Sequence, residues 1–158
     1  GASAMSGHML AQGSTDLLPE KVEVSLGAGL GFVHRVVIDQ HFSERQRLSR
    51  LLSVVAQNPY LQGIGIDEDT ALVVRGHLGT VVGAGGVTFV DGRDSVRFDN
   101  AGDLDKGRQL TLSHLRVGIV GTNYQLNLRE RELEVLVQGE ASPHRRTPPF
   151  SEASQVGD

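Results

Sequence analysis

The chain of 158 residues contains no cysteine. That absence excludes disulfide bracing, thiolate metal sites and a cysteine nucleophile, and it suits cytoplasm and periplasm equally. Aromatic residues make up only 4% of the sequence, and no long basic stretch is interleaved with them, so nucleic acid is not an expected partner. No apolar run approaches membrane-spanning length and no signal peptide is visible; no membrane partner is expected, and the expected location is cytoplasmic, with a secreted form left open. His8, His34, His77, His114 and His144 are scattered without a ligand spacing such as His-x-x-x-His, so neither a metal nor another cofactor is expected.

What is present is a strand-helix-strand unit. Val36-Val37-Ile38-Asp39-Gln40-His41 reads as a strand, residues 43–57 as an amphipathic helix, and Gly63-Ile64-Gly65-Ile66-Asp67-Glu68-Asp69 as a second strand. Leu48, Leu51, Leu52 and Val55 recur at i, i+3, i+4 and i+7, which covers one face of a sheet. Ser43 and Gln46 form a capping-box pattern, and Asn58-Pro59 stops the helix. Crossovers of this kind place both strands parallel, so His41 and the acidic run emerge at the same carboxyl edge. A histidine and a carboxylate there suggest two thirds of a catalytic triad. Arg45, Arg47 and Arg50 crowd the expected first turns, where the helix dipole repels cations. Two readings stay open for them: guanidinium forks for a substrate carboxylate, or a solvated face balanced by Glu44.

The run from Val37 to Leu52, followed by Ala56-Gln57-Asn58-Pro59 and Gly63 to Ala71, resembles the cyanophycinases of the S51 serine peptidases. The resemblance is most specific over Val36 to Val74 and continues through Gly83-Ala84-Gly85-Gly86-Val87 to Leu112–Arg116 and Tyr124–Leu128. It implies a mostly parallel central sheet of the S51 peptidase or class I glutamine amidotransferase-like type, with an antiparallel β extension in the second half. It further implies hydrolysis of cyanophycin, multi-L-arginyl-poly-L-aspartate, to β-Asp-Arg dipeptides. On this resemblance His41 is the general base and Glu68 the carboxylate that orients it, while Asp39, Gln40, Arg45, Arg47 and Arg50 line the substrate pocket. An imidazole must take the serine proton, and it needs an acceptor on its other nitrogen to hold the right tautomer. From the residues alone, Glu68 is not distinguished from Asp67 or Asp69.

The family places its serine in a Gly-Thr-Ser-Ala-Gly-Ala turn. Gly1-Ala2-Ser3-Ala4-Met5-Ser6 aligns best as the tail of that motif, which puts the nucleophile just before Gly1. Ser3 is the competing reading, disfavoured because no strand precedes it to build a nucleophile elbow. Residues 1–138 are therefore expected to be the carboxy-terminal part of one peptidase domain, partnered by a missing amino-terminal half and forming a homodimer. The alternatives are a companion subunit without a nucleophile and an aspartyl dipeptidase-like relative.

Elsewhere, residues 4–12 read as a short helix, 13–20 as a polar loop and 21–26 as a strand. Gly27, Gly29 and Gly31 fail as a dinucleotide fingerprint, because Phe32 occupies the third glycine position. They are expected to bring the chain close to the active-site edge. Short β segments are expected at 71–75, 80–82, 87–91, 110–120, 123–128 and 133–137, punctuated by Gly76, Gly79, Asp91-Gly92 and Gly121 as in antiparallel hairpins. Residues 139–158 are rich in proline and polar groups and read as a flexible tail.

Overall fold

The computed structural model describes residues 1–12, 25–97 and 108–135. The strands are β1 (Ser6–Gln12), β2 (Ser25–Ala28), β3 (Val33–Gln40), β4 (Gln62–Ile66), β5 (Thr70–Arg75), β6 (Leu78–Gly83), β7 (Val87–Asp91), β8 (Val96–Arg97), β9 (Leu112–Ser113), β10 (Arg116–Val120), β11 (Tyr124–Asn127) and β12 (Glu132–Val135). One α-helix, α1 (Leu48–Gln57), joins β3 to β4. A six-stranded sheet runs β10-β7-β4-β3-β1-β2, and a four-stranded sheet runs β12-β11-β6-β5.

Alternation along β3 and β4 builds a layered α/β core. Val36, Ile38, Ile64 and Ile66 face the four-stranded sheet, where they meet Val81 and Leu126. Val37 points the other way and packs with Leu51, Val54 and Val55 of α1. The helix-facing positions of β4 are Gly63 and Gly65. A Cβ on Gly63 would lie 2.9 Å from Leu51 Cγ, and one on Gly65 would enter the Phe42 ring. Hydrogen in place of a side chain thus lets the helix and the residue after His41 settle on the central strand.

The parallel pairing of β3 with β4 is as expected, in register Val36↔Gln62 to Gln40↔Ile66. The sheet around it is not mostly parallel. Only β1–β3 and β3–β4 pair parallel, whereas β1–β2, β4–β7 and β7–β10 pair antiparallel, so the sheet is mixed. The β-rich second half also divides: β7 and β10 extend the main sheet, while β5, β6, β11 and β12 form a separate antiparallel layer. The long 110–120 segment breaks at His114, whose φ of 59° turns the chain between β9 and β10.

Two helix expectations fail for long-range reasons. Residues 4–12 form no α-helix: a 3-10 turn, Ala2–Met5, leads into β1, whose backbone bonds the exposed edge of β3 and overrides local preference. The α-helix starts at Leu48 rather than Ser43, because Gln46 takes a left-handed φ of 50° and residues 42–47 coil as turns. Gly29 does permit a close approach, but to the Ser6 carbonyl at the start of β1. The expected loop at 13–20, most of the strand at 21–26 and the tail at 139–158 lie outside the described residues.

Candidate functional site

At the carboxyl end of β3 the chain leaves the sheet through His41, which adopts a left-handed φ of 52°. Phe42 then donates its N–H to the Ile66 carbonyl, so the turn stays tied to β4. Beyond β4, Asp67-Glu68-Asp69 reverses the chain into β5, with Asp69 at φ 49°. Left-handed non-glycine residues persist only where surroundings enforce them, and here one stands at each of the two turns that meet.

The meeting brings His41 Nδ1 to 2.9 Å from Glu68 Oε1. An ionised carboxylate only accepts, so it holds the proton on Nδ1, and in the neutral imidazole Nε2 then keeps its lone pair. Both side chains are about half exposed, at 43% and 51%. The arrangement is therefore a solvent-open imidazole, oriented by a carboxylate and able to accept a proton. Among the described residues no hydroxyl hydrogen-bonds to His41. Ser3 instead accepts the Ser6 hydroxyl on its carbonyl, 2.9 Å away.

The three acids of the run have separate roles that sequence reading did not resolve. Asp67 Oδ1 accepts the Ser43 hydroxyl at 2.6 Å and the Ser43 N–H at 3.1 Å, and its Oδ2 accepts the Gly86 N–H at 3.0 Å. Glu44 Oε1 accepts the N–H of Glu68 at 3.2 Å. Asp67 and Glu44 thereby tie together the loops that present His41 and Glu68. Ser43 is thus a tertiary tether and not a helix cap. The signal that could have found it is a hydroxyl two residues past His41 facing an acidic run on the next parallel strand.

Asp39 lies one residue before Gln40 and is buried, 1% exposed. Arg50 grips it bidentately, Nε to Oδ2 at 2.9 Å and Nη2 to Oδ1 at 2.7 Å, and Arg47 Nη1 reaches Oδ1 at 2.7 Å and the Gln40 carbonyl at 2.8 Å. The crowding of cations near the helix start is explained by this buried carboxylate: Arg47 is the N-cap residue and Arg50 lies in the first turn. Arg45 alone of the three has an exposed side chain. Gln40 turns its Oε1 to the backbone nitrogens of Gly1 and Ala2, each at 3.1 Å. A small apolar cavity of about 200 Å³ lies alongside, lined by Phe42, Ser43, Leu48, Val117 and Ile119 among others. Among the described residues no group of three or more potential ligands converges on a metal position.

Comparison with known proteins gives a consistent result. The family model for peptidase family S51 matches residues 1–82. The chain is 38% identical over 133 residues to a cyanophycinase of Geminocystis herdmanii, covering 84% of this chain and 48% of that protein. It is 38% identical over 136 residues to one of Synechococcus elongatus, covering 85% and 42%. A third, from Trichormus variabilis, is 38% identical over 133 residues, covering 83% and 44%. The chain thus spans a little under half the length of these relatives.

Proposed function

Since the chain belongs to peptidase family S51, we propose that it carries the base and orienting carboxylate of a serine peptidase that cleaves cyanophycin to β-Asp-Arg dipeptides. The observation that carries this reading is the 2.9 Å contact of His41 Nδ1 with Glu68 at an open strand edge. In the proposed reaction His41 Nε2 takes the serine proton as Oγ attacks the scissile amide carbon. The imidazolium returns that proton to the leaving amine, and water then hydrolyses the acyl-enzyme by the same base. Glu68 holds the tautomer and offsets the imidazolium charge. The finer fold reading, a class I glutamine amidotransferase-like arrangement, has support in the parallel β3–α1–β4 unit that presents the pair.

The serine belongs to the motif whose tail is Gly1-Ala2. Gln40 supports this: its Oε1 accepts the backbone N–H of Ala2 at 3.1 Å, and it is adjacent to His41. The pocket in this reading comprises Asp39, Gln40, Arg45, Arg47 and Arg50. Arg45 offers its guanidinium outward to a substrate carboxylate, while Arg47 and Arg50, fixed by Asp39, shape the wall behind it. A homodimer belongs to the same reading, with exposed Val117 and Ile119 on the edge strand β10 as its support. The companion-subunit alternative shares the His41–Glu68 pair and differs in having no serine for it to activate.

The deciding experiment is fluorophosphonate labelling of this chain joined to its amino-terminal half, covalently or in trans, together with chromatography of the products from cyanophycin. Labelling at a serine preceding Gly1, with release of β-Asp-Arg, is the expected result. Labelling at Ser3 would move the nucleophile, and absence of both labelling and product would leave the companion reading. Short β-linked peptides run in parallel distinguish polymer cleavage from a dipeptidase.

A further inference from the structure

Far from the His41–Glu68 edge, the amino-terminal end of β3 opens onto a second cavity of about 580 Å³. His34 and His41 are seven positions apart, so the two sites are separated by about 20 Å along an extended strand. The polar side chains of this cavity are cationic or histidine: Arg35, Arg93, Arg129 and Arg131, with His34 and His77. No aspartate or glutamate is among its described lining residues. Such a concentration runs against a chain whose formal net charge is −4.

One carboxylate lies behind the cavity and is already engaged. Asp91 is 1% exposed; Arg131 Nη1 donates to its Oδ1 at 2.6 Å, and Arg93 reaches both of its oxygens. Arg131 also donates to the Tyr60 carbonyl, and Arg93 to the Glu130 carbonyl. One carboxylate against four guanidiniums leaves the cavity electropositive. Arg35 and Arg129 are exposed and make no ion pair with any described residue. Arg35 and Arg131 both hold left-handed backbone, at φ 57° and 60°, which fixes where these side chains leave the chain.

We propose that this cavity is a second binding site, one for an oxyanion, in which Arg35 and Arg129 clasp a carboxylate or phosphate group above the floor formed by Arg93 and Arg131. Guanidinium forks match either group bidentately, and a concave cationic surface focuses the field on its occupant. A free phosphate and the carboxylate of an acidic peptide share this chemistry.

Calorimetric titration of the protein with inorganic phosphate, and separately with tetra-aspartate, tests the site at low ionic strength, where screening is least. Saturable one-to-one binding of at least one of them is expected. It should weaken tenfold or more in the double variant Arg35→Gln/Arg129→Gln and stay unchanged in Arg108→Gln, an exposed charge control. Phosphate binding alone marks a free anion as the ligand, and tighter tetra-aspartate binding marks an acidic peptide. If the double variant melts several degrees lower, each single variant is read instead, with at least a threefold loss expected. No saturable binding, or equal loss in Arg108→Gln, overturns the proposal. Binding is measured without hydrolysis, so the result stands apart from the peptidase reading.

Discussion

Two carboxylates at opposite edges of the six-stranded sheet meet basic partners in contrasting ways. Asp91, at the end of β7, is buried and held by Arg93 and Arg131, with Arg116 at 3.9 Å. Glu68 is half exposed and has one histidine for a partner. A buried carboxylate surrounded by guanidiniums cannot change its charge or partner without a large loss, so it fixes structure. The exposed one orients a solvent-open imidazole that can accept a proton, so it can direct chemistry. Asp39 resembles Asp91 in this respect although it lies only two residues from His41. Proximity to the site therefore does not by itself mark a residue for direct contact with substrate.

The largest effect expected from breaking the contrast is kinetic. In the peptidase proposed above, His41→Ala should lower kcat for cyanophycin hydrolysis by roughly six orders of magnitude, as removal of a triad base does elsewhere. Its melting temperature should hardly move, because the side chain is half exposed. Near-normal kcat in the folded variant would remove His41 from the mechanism, and Glu68→Gln should follow the same pattern with a smaller loss.

Asp91→Asn should show the reverse profile. Leaving Arg131 and Arg93 without their carboxylate should cost about 3–5 kcal/mol, or about 10 °C in Tm, read by thermal unfolding. The His41–Glu68 geometry lies at the other edge, so kcat measured below the new Tm should stay within a few-fold. A large kcat loss with an unchanged Tm would erase the distinction between the two carboxylates.

Asp67→Asn sharpens the comparison from within the site. Its carboxylate touches only tethers, Ser43 and Gly86, so kcat should fall about tenfold through loosened placement of Glu68, with KM little changed. A loss equal to that of Glu68→Gln would instead make Asp67 the partner of His41.

The smallest effect is in acid. Burial pushes the Asp91 carboxyl up, but hydrogen bonds from Arg93 and Arg131 outweigh it and hold its pKa below the ordinary 3.8. A depressed folded pKa means that the stabilisation is present above 3.8 and lost as pH falls through the lower folded value. The gap in Tm between the protein and Asp91→Asn should therefore be constant near neutrality and narrow below about pH 4. A gap that persists unchanged at pH 2 would contradict the ion-pair account.

The sequence by itself determined the β3–α1–β4 unit, because the periods of two and 3.6 residues that mark it are local and the apolar positions are dense. Parallel pairing and the shared edge of His41 with the acidic run follow from that connection. The family resemblance supplied the choice of Glu68. Local signals misled where a distant partner was stronger: Ser43 turned to Asp67 instead of capping a helix, and residues 6–12 joined the edge of β3 instead of coiling. The splitting of the later strands between two sheets was likewise hidden, since hairpin punctuation sets neighbours along the chain and not which layer a hairpin joins. Only the tertiary structure decided what Asp67 tethers, which arginines are spent on Asp39 and Asp91, and where the remaining cations gather. Those outcomes rest on hydrogen bonds between residues 8 to 40 positions apart, a separation over which sequence periodicity carries no register.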